Sequence, residues 1–239
     1  MRSRAMCVAL AVLFCEGAAG AANAQTEDMP HMRMTVRTSP APGDSARAAT
    51  VAAAARTALA PYADYHKALA DGYRIFAPNV RQKVYHFSSW RRGALAAFRF
   101  DPSRPTSLLY ARTGDSTYTL VGAMYTAPRR ATLADLNARV PLSIAQWHLH
   151  TNWCVPPREA WNGIRQAGSQ AGSDERRRLF GAWGSITTEA ACRAAGGTFH
   201  AQIFGWMVHV HPMATDPADV WGAEDMSHMA GMASMSEMH

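Results

Sequence analysis

The sequence predicts an α+β fold: an antiparallel β meander or partly open barrel, with an N-terminal helical segment and short flanking helices. Three observations predict it. Short runs rich in β-branched and aromatic residues recur at 83–87, 94–100, 107–112 and 117–125, separated by turns such as Asp101-Pro102 and Gly114-Asp115. An alanine-rich stretch at 50–71 precedes them, made of good helix formers. Two further apolar runs, 144–151 and 204–211, follow.

Taken in order, the chain opens with Arg2 and Arg4, an apolar run over 5–14, and small residues ending in Ala22-Asn23-Ala24. That is the form of a cleavable secretory leader, so 1–24 is expected to be a signal peptide. The protein is then expected in the periplasm or secreted. The apolar run falls far short of the ~20 residues that span a bilayer, and no membrane span is expected elsewhere. Residues 25–49 are rich in Pro, Ser, Thr and Ala without apolar periodicity, and are expected to form a disordered arm. A single α+β domain is expected over 50–222, and a disordered Met/His-rich tail over 223–239.

Within the domain, Pro61 splits the alanine-rich stretch into two helices, and Asp71-Gly72 closes the second. The four strand-like runs come next. A short helix is expected at 132–138 with Thr132 as its cap, and another at 187–195, ended by Gly196-Gly197.

The formal charge is +6, with the basic residues scattered apart from Arg176, Arg177 and Arg178. No aromatic residues interleave that run, so nucleic acid is not an expected partner. Removal of the leader takes away Cys7 and Cys15 and leaves Cys154 and Cys192. In an oxidising compartment two lone thiols pair, so a disulfide is expected, with a thiolate metal ligand at Cys154 as the rival.

The chemistry lies in the histidines. His148 and His150 are two apart in W-H-L-H-T-N-W-C, and His209 and His211 repeat that spacing in F-G-W-M-V-H-V-H-P. On a strand, residues two apart share a face, so each pair presents two imidazoles to the same side. Side-by-side strands would let three or four imidazoles meet, a donor set that suits a first-row transition metal. His86, on the predicted strand at 83–87, is the further candidate, and His211, just before Pro212, ranks below His209. Asn152 and Gln146 are expected to hold ring orientation by hydrogen bonds to the distal ring nitrogens.

Methionines are concentrated near the two ends. Met226, Met229, Met232, Met235 and Met238 recur every third residue, with His228 among them and His239 last, while M-P-H-M-R-M surrounds His31. Thioethers are soft donors that favour Cu(I), and neighbouring imidazoles extend the range to Cu(II). The expected cofactor is therefore copper, with zinc or another first-row metal as the alternative.

Two resemblances accompany these readings. The tails resemble the Met/His-rich segments of periplasmic copper-resistance and copper-chaperone proteins. The motifs Y-H-F at 85–87, F-D-P-S-R-P-T-S-L-L-Y at 100–110, L-V-G-A-M-Y-T-A-P at 120–128, W-H-L-H-T-N-W-C and F-G-W-M-V-H-V resemble a family of exported bacterial proteins. That second resemblance implies one coherent domain, and neither an activity nor a cofactor.

The expectation is a periplasmic metal-binding protein, most simply for copper sequestration or delivery, whose partners are the ion and a periplasmic metal-handling protein. An exported metalloenzyme with an open His-ligated position is the first alternative, although both His strands lack Asp and Glu to move protons. A structural or interaction domain without metal is the second.

Overall fold

The computed structural model describes residues 26–78, 82–114, 117–158, 179–181 and 184–222. The expected leader and the Met/His-rich tail lie outside the described residues.

Eight strands form one open antiparallel sheet. They are β1 (Thr26–Met29), β2 (Met32–Thr35), β3 (Arg74–Ile75), β4 (Val84–Ser88), β5 (Ser107–Arg112), β6 (Tyr118–Ala127), β7 (His148–Val155) and β8 (Thr198–Val210). Their order is β1-β2-β7-β8-β6-β5-β4-β3. The run from β4 to β6 holds three of the four expected meander strands, with the unforeseen β3 added at its edge; β8 then inserts between β6 and β7. The α+β class and the open sheet are as the sequence predicts.

The helices are α1 (Asp44–Leu59), α2 (Tyr65–Ala70), α3 (Trp90–Phe98), α4 (Leu133–Arg139) and α5 (Glu189–Ala194). Pro61 sits in the 3₁₀ turn Ala60–Tyr62 that ends α1, where its missing N–H costs nothing. α1 buries Ala48, Val51, Ala55 and Leu59, a stripe at helical spacing. Thr132 closes a capping box with Asp135 at the start of α4.

Two expectations are corrected. The arm over 25–49 is not a structureless lead-in among its described residues: β1 and β2 make a hairpin that pairs with β7, and α1 already begins at Asp44. The alternation Met32-Arg33-Met34 is a two-sided strand pattern whose partners in the body of the sheet, on β7, lie over a hundred residues away. Most of the run at 94–100 belongs to α3, which ends at Phe98, instead of a strand, because Ala94-Leu95-Ala96-Ala97 favours helix. Strand β7 also starts at His148, four residues later than expected, and β8 starts at Thr198, six earlier.

One face of the sheet lies under the helices. Tyr85, Phe87, Leu108, Tyr110, Ala123, Tyr125, Leu149, Trp206, Val208 and Val210 join α1 and Leu136 of α4 in the main core. Its buried tyrosines are satisfied: Tyr73, Tyr110 and Tyr125 each donate to a backbone carbonyl, of Pro105, Tyr62 and Pro102. Cys154 on β7 and Cys192 on α5 are disulfide-bonded, their Cα atoms 5.6 Å apart, in a small satellite core with Ile186. No helix among the described residues is long and apolar enough to cross a membrane.

Candidate metal centre

Strand alternation sends the neighbours of those core residues to the opposite face. There His86 on β4, Leu109 on β5, Met124 on β6, Met207 and His209 on β8, and His148 and His150 on β7 share one side of the sheet. Met32 stands opposite His150, and Met34 opposite His148.

The rings meet. His148 and His209 have centroids 5.0 Å apart, His86 and His209 5.4 Å, and His148 and His150 5.8 Å. His86 Nε2 lies 3.4 Å from His209 Nε2. Strands β4 and β8 are separated by β5 and β6, three spacings that amount to ~14 Å between backbones on a flat sheet. Contact between their imidazoles therefore requires the sheet to curl around this face. Two bulges assist the curl. Pairing slips by two residues between His148 and His150, leaving Phe204, at φ 64, and Gly205 as the extra residues of β8. A Cβ on Gly205 would sit 2.1 Å from the Ala127 carbonyl oxygen, so only glycine lets β6 approach there. The second bulge, between Leu109 and Tyr110, gives β6 the extra residue Val121.

Aromatic rings border the cluster. Trp153 stands edge-on to His150, Phe204 to Trp153, and Phe76 to Phe204. His209 is only 9% exposed, while His86, His148 and His150 are half-buried. Burial is the main cause of the low basicity of all four. It brings His86 to about 4, aided by the nearby His150, and His148 to about 3, aided by His150 and His86. His150 comes to about 4 although the His31 backbone pulls the other way, and His209 falls well below the usual imidazole range. At neutral pH each ring is uncharged and keeps one lone pair, the form that binds metals. His150 Nδ1 is buried without a hydrogen-bond partner.

Sequence spacing thus foresees that His86, His148, His150 and His209 come together. His211 is engaged otherwise, its Nδ1 3.1 Å from the Val121 carbonyl at the second bulge. Asn152 and Gln146 do not orient the rings as expected. The Asn152 amide donates to the Pro30 carbonyl and the Gln146 amide to the Thr35 carbonyl, so both clamp the β1–β2 hairpin. His31 adds to this clamp through Asn152 and Gly184 carbonyls. The clamp was not legible, because its partners are backbone atoms of a strand with no long apolar run. Cys154 is held in the disulfide and offers no thiolate. The tail candidates Met226, His228, Met229, Met232, Met235, Met238 and His239 lie outside the described residues.

Two nitrogens bound to one tetrahedral ion at 2.0–2.1 Å stand ~3.3 Å apart. The His86 and His209 nitrogens have that separation, which is equally that of an N–H···N hydrogen bond. Among the described residues, no three His, Cys, Asp or Glu side chains already have their donors set around one point. Comparison with known proteins finds no family model that matches the chain, and no curated protein or solved structure with significant similarity to it.

Proposed function

We propose that this is an exported metal-binding protein, for copper sequestration or delivery, with an ion held among His86, His148, His150 and His209. One observation carries the reading: imidazoles from three strands, uncharged near neutral pH, share a curled face, with two nitrogens separated like ligands of one ion. Small rotations of half-buried rings would bring a third nitrogen in. An apo site with uncharged rings gives up no protons when it loads near neutral pH, unlike a thiolate site. The Cys154–Cys192 disulfide braces the strand that carries His148 and His150, and agrees with export to an oxidising compartment. Methionines and histidines of the tail, Met226 to His239, would serve as a weaker capture segment that concentrates the ion near the domain.

A second reading rests on the same 3.4 Å separation. In it the rings are packed and hydrogen-bonded to each other, and the protein is a structural or interaction domain without metal. Elemental analysis of the purified full-length protein, before and after loading with Cu(I), Cu(II) and Zn(II), separates the two. About one ion per chain that survives loss of the tail side chains and disappears in His148→Ala/His209→Ala supports the metal reading. No bound ion under any loading condition overturns it.

A further inference from the structure

The histidines are not alone on their face. Met34 on β2 and Met207 on β8 flank His148 from its two neighbouring strands, each directly opposite it in register. On β6, Met124 stands directly opposite His209 and packs against Met207 and Leu109. Directly opposed residues have Cβ atoms about 4.5–5.5 Å apart, within reach of a thioether on a flexible stem. All three methionines are buried, at 9%, 6% and 7% exposure. Sequence distance hides this arrangement: Met34 precedes the domain expected at 50–222, and Met124 and Met207 lie among apolar strand residues.

Resting on the metal reading above, we propose that the centre is a mixed imidazole–thioether site that takes a soft monovalent cation, Cu(I) or Ag(I), in preference to Zn(II) or Cu(II). His148 and His209 supply nitrogen, and Met34, Met207 and Met124 supply sulfur. Thioether sulfur is a soft donor that selects Cu(I) over harder divalent ions. Charge leads to the same preference. Every donor named is neutral; an acidic position shares their side of the sheet by register at Glu27, opposite Met34 on the edge strand and one strand farther from His148. The cost of moving an ion out of water grows with the square of its charge, so a doubly charged ion with no anionic ligand is penalised about four times as heavily as a singly charged one. The β1–β2 hairpin thereby becomes part of the site, since it carries Met34 and is tied down by Asn152 and Gln146.

The test uses the full-length chain with its five tail methionines replaced by leucine, so that the tail adds no sulfur. Under anaerobic conditions, Cu(I) affinity is measured by competition with a chromophoric Cu(I) chelator, and Zn(II) affinity by a corresponding zinc indicator. X-ray absorption at the copper edge reads the atoms bound to the ion without any change in the domain. Sulfur scatterers beside nitrogen are expected, with Cu(I) bound more tightly than Zn(II). Met34→Leu/Met207→Leu, a volume-conserving pair, is expected to weaken Cu(I) roughly 100-fold, about tenfold for each lost donor, and to leave Zn(II) unchanged. A copper edge showing nitrogen alone, or Zn(II) bound as tightly as Cu(I), overturns the thioether centre. Should the leucine pair keep full Cu(I) affinity while His148→Ala/His209→Ala abolishes it, the metal reading stands and this inference fails. Binding of no ion at all removes both.

Discussion

Each clustered imidazole is more than a potential ligand, because its low basicity couples folding to pH. His86 and His150 sit at about 4 in the folded chain, against about 6.5 for an unperturbed ring. Between those values the unfolded chain holds protons that the folded chain refuses, so stability is complete above about pH 6.5 and falls as the pH drops toward 4. Each such histidine contributes a slope of about 1.4 kcal/mol per pH unit in that window. Urea midpoints of the metal-free protein at pH 7.5 and 5.5 should show the loss, and His86→Gln/His150→Gln should roughly halve it, since His148 and His209 still refuse protons in the folded chain. The meeting of these rings was legible because two-residue spacing on strongly apolar strands leaves little choice of face. The partners of Asn152 and Gln146 were not, because a side-chain amide near a histidine in sequence answers to whichever backbone passes it, and here that is the hairpin.

At the scale of elements, two features tune β7 and β8. The disulfide closes a 38-residue separation between β7 and α5, which corresponds to about 4 kcal/mol of loop entropy removed from the unfolded chain. Cys154→Ala/Cys192→Ala should cost about that much in chemical denaturation, on the same chain-entropy estimate. A Cβ at Gly122 would lie 2.5 Å from the Val210 carbonyl oxygen and 2.8 Å from His211 Nδ1. Gly122→Ala should therefore destabilise by about 1–3 kcal/mol through overpacking, and should shift the His211 ring resonances in NMR spectra. Strand identity in 107–112, the Thr132 cap of α4 and the break at Pro61 could be read from local chemistry alone. The misassigned run at 94–100 could not, since Leu95 and Phe98 are apolar yet exposed, and hydrophobicity there does not report a core.

The whole molecule is asymmetric about its sheet. One side is a conventional aromatic and aliphatic core under helices, and the other carries the histidines and methionines on the curled face of the open sheet. The helical side tolerates exposed apolar groups at α3, where Trp90 is 79% and Phe98 90% exposed. Trp90→Ala/Phe98→Ala should change the unfolding free energy by less than about 0.5 kcal/mol per site, whereas Trp147→Ala, fully buried, should cost about 3–5 kcal/mol. The larger pairing slip behind the curl left no mark in the sequence, because it joins β7 and β8 across some fifty residues of chain.

The position of the hairpin in the strand order also governs when the protein can finish folding. Translation releases Thr26–Thr35 first, yet its hydrogen-bonding neighbour β7 starts at His148 and the strand beyond it ends at Val210. Until β7 emerges, a nascent chain therefore carries the sticky edge of that hairpin unmatched, the circumstance in which helper proteins guard against clumping.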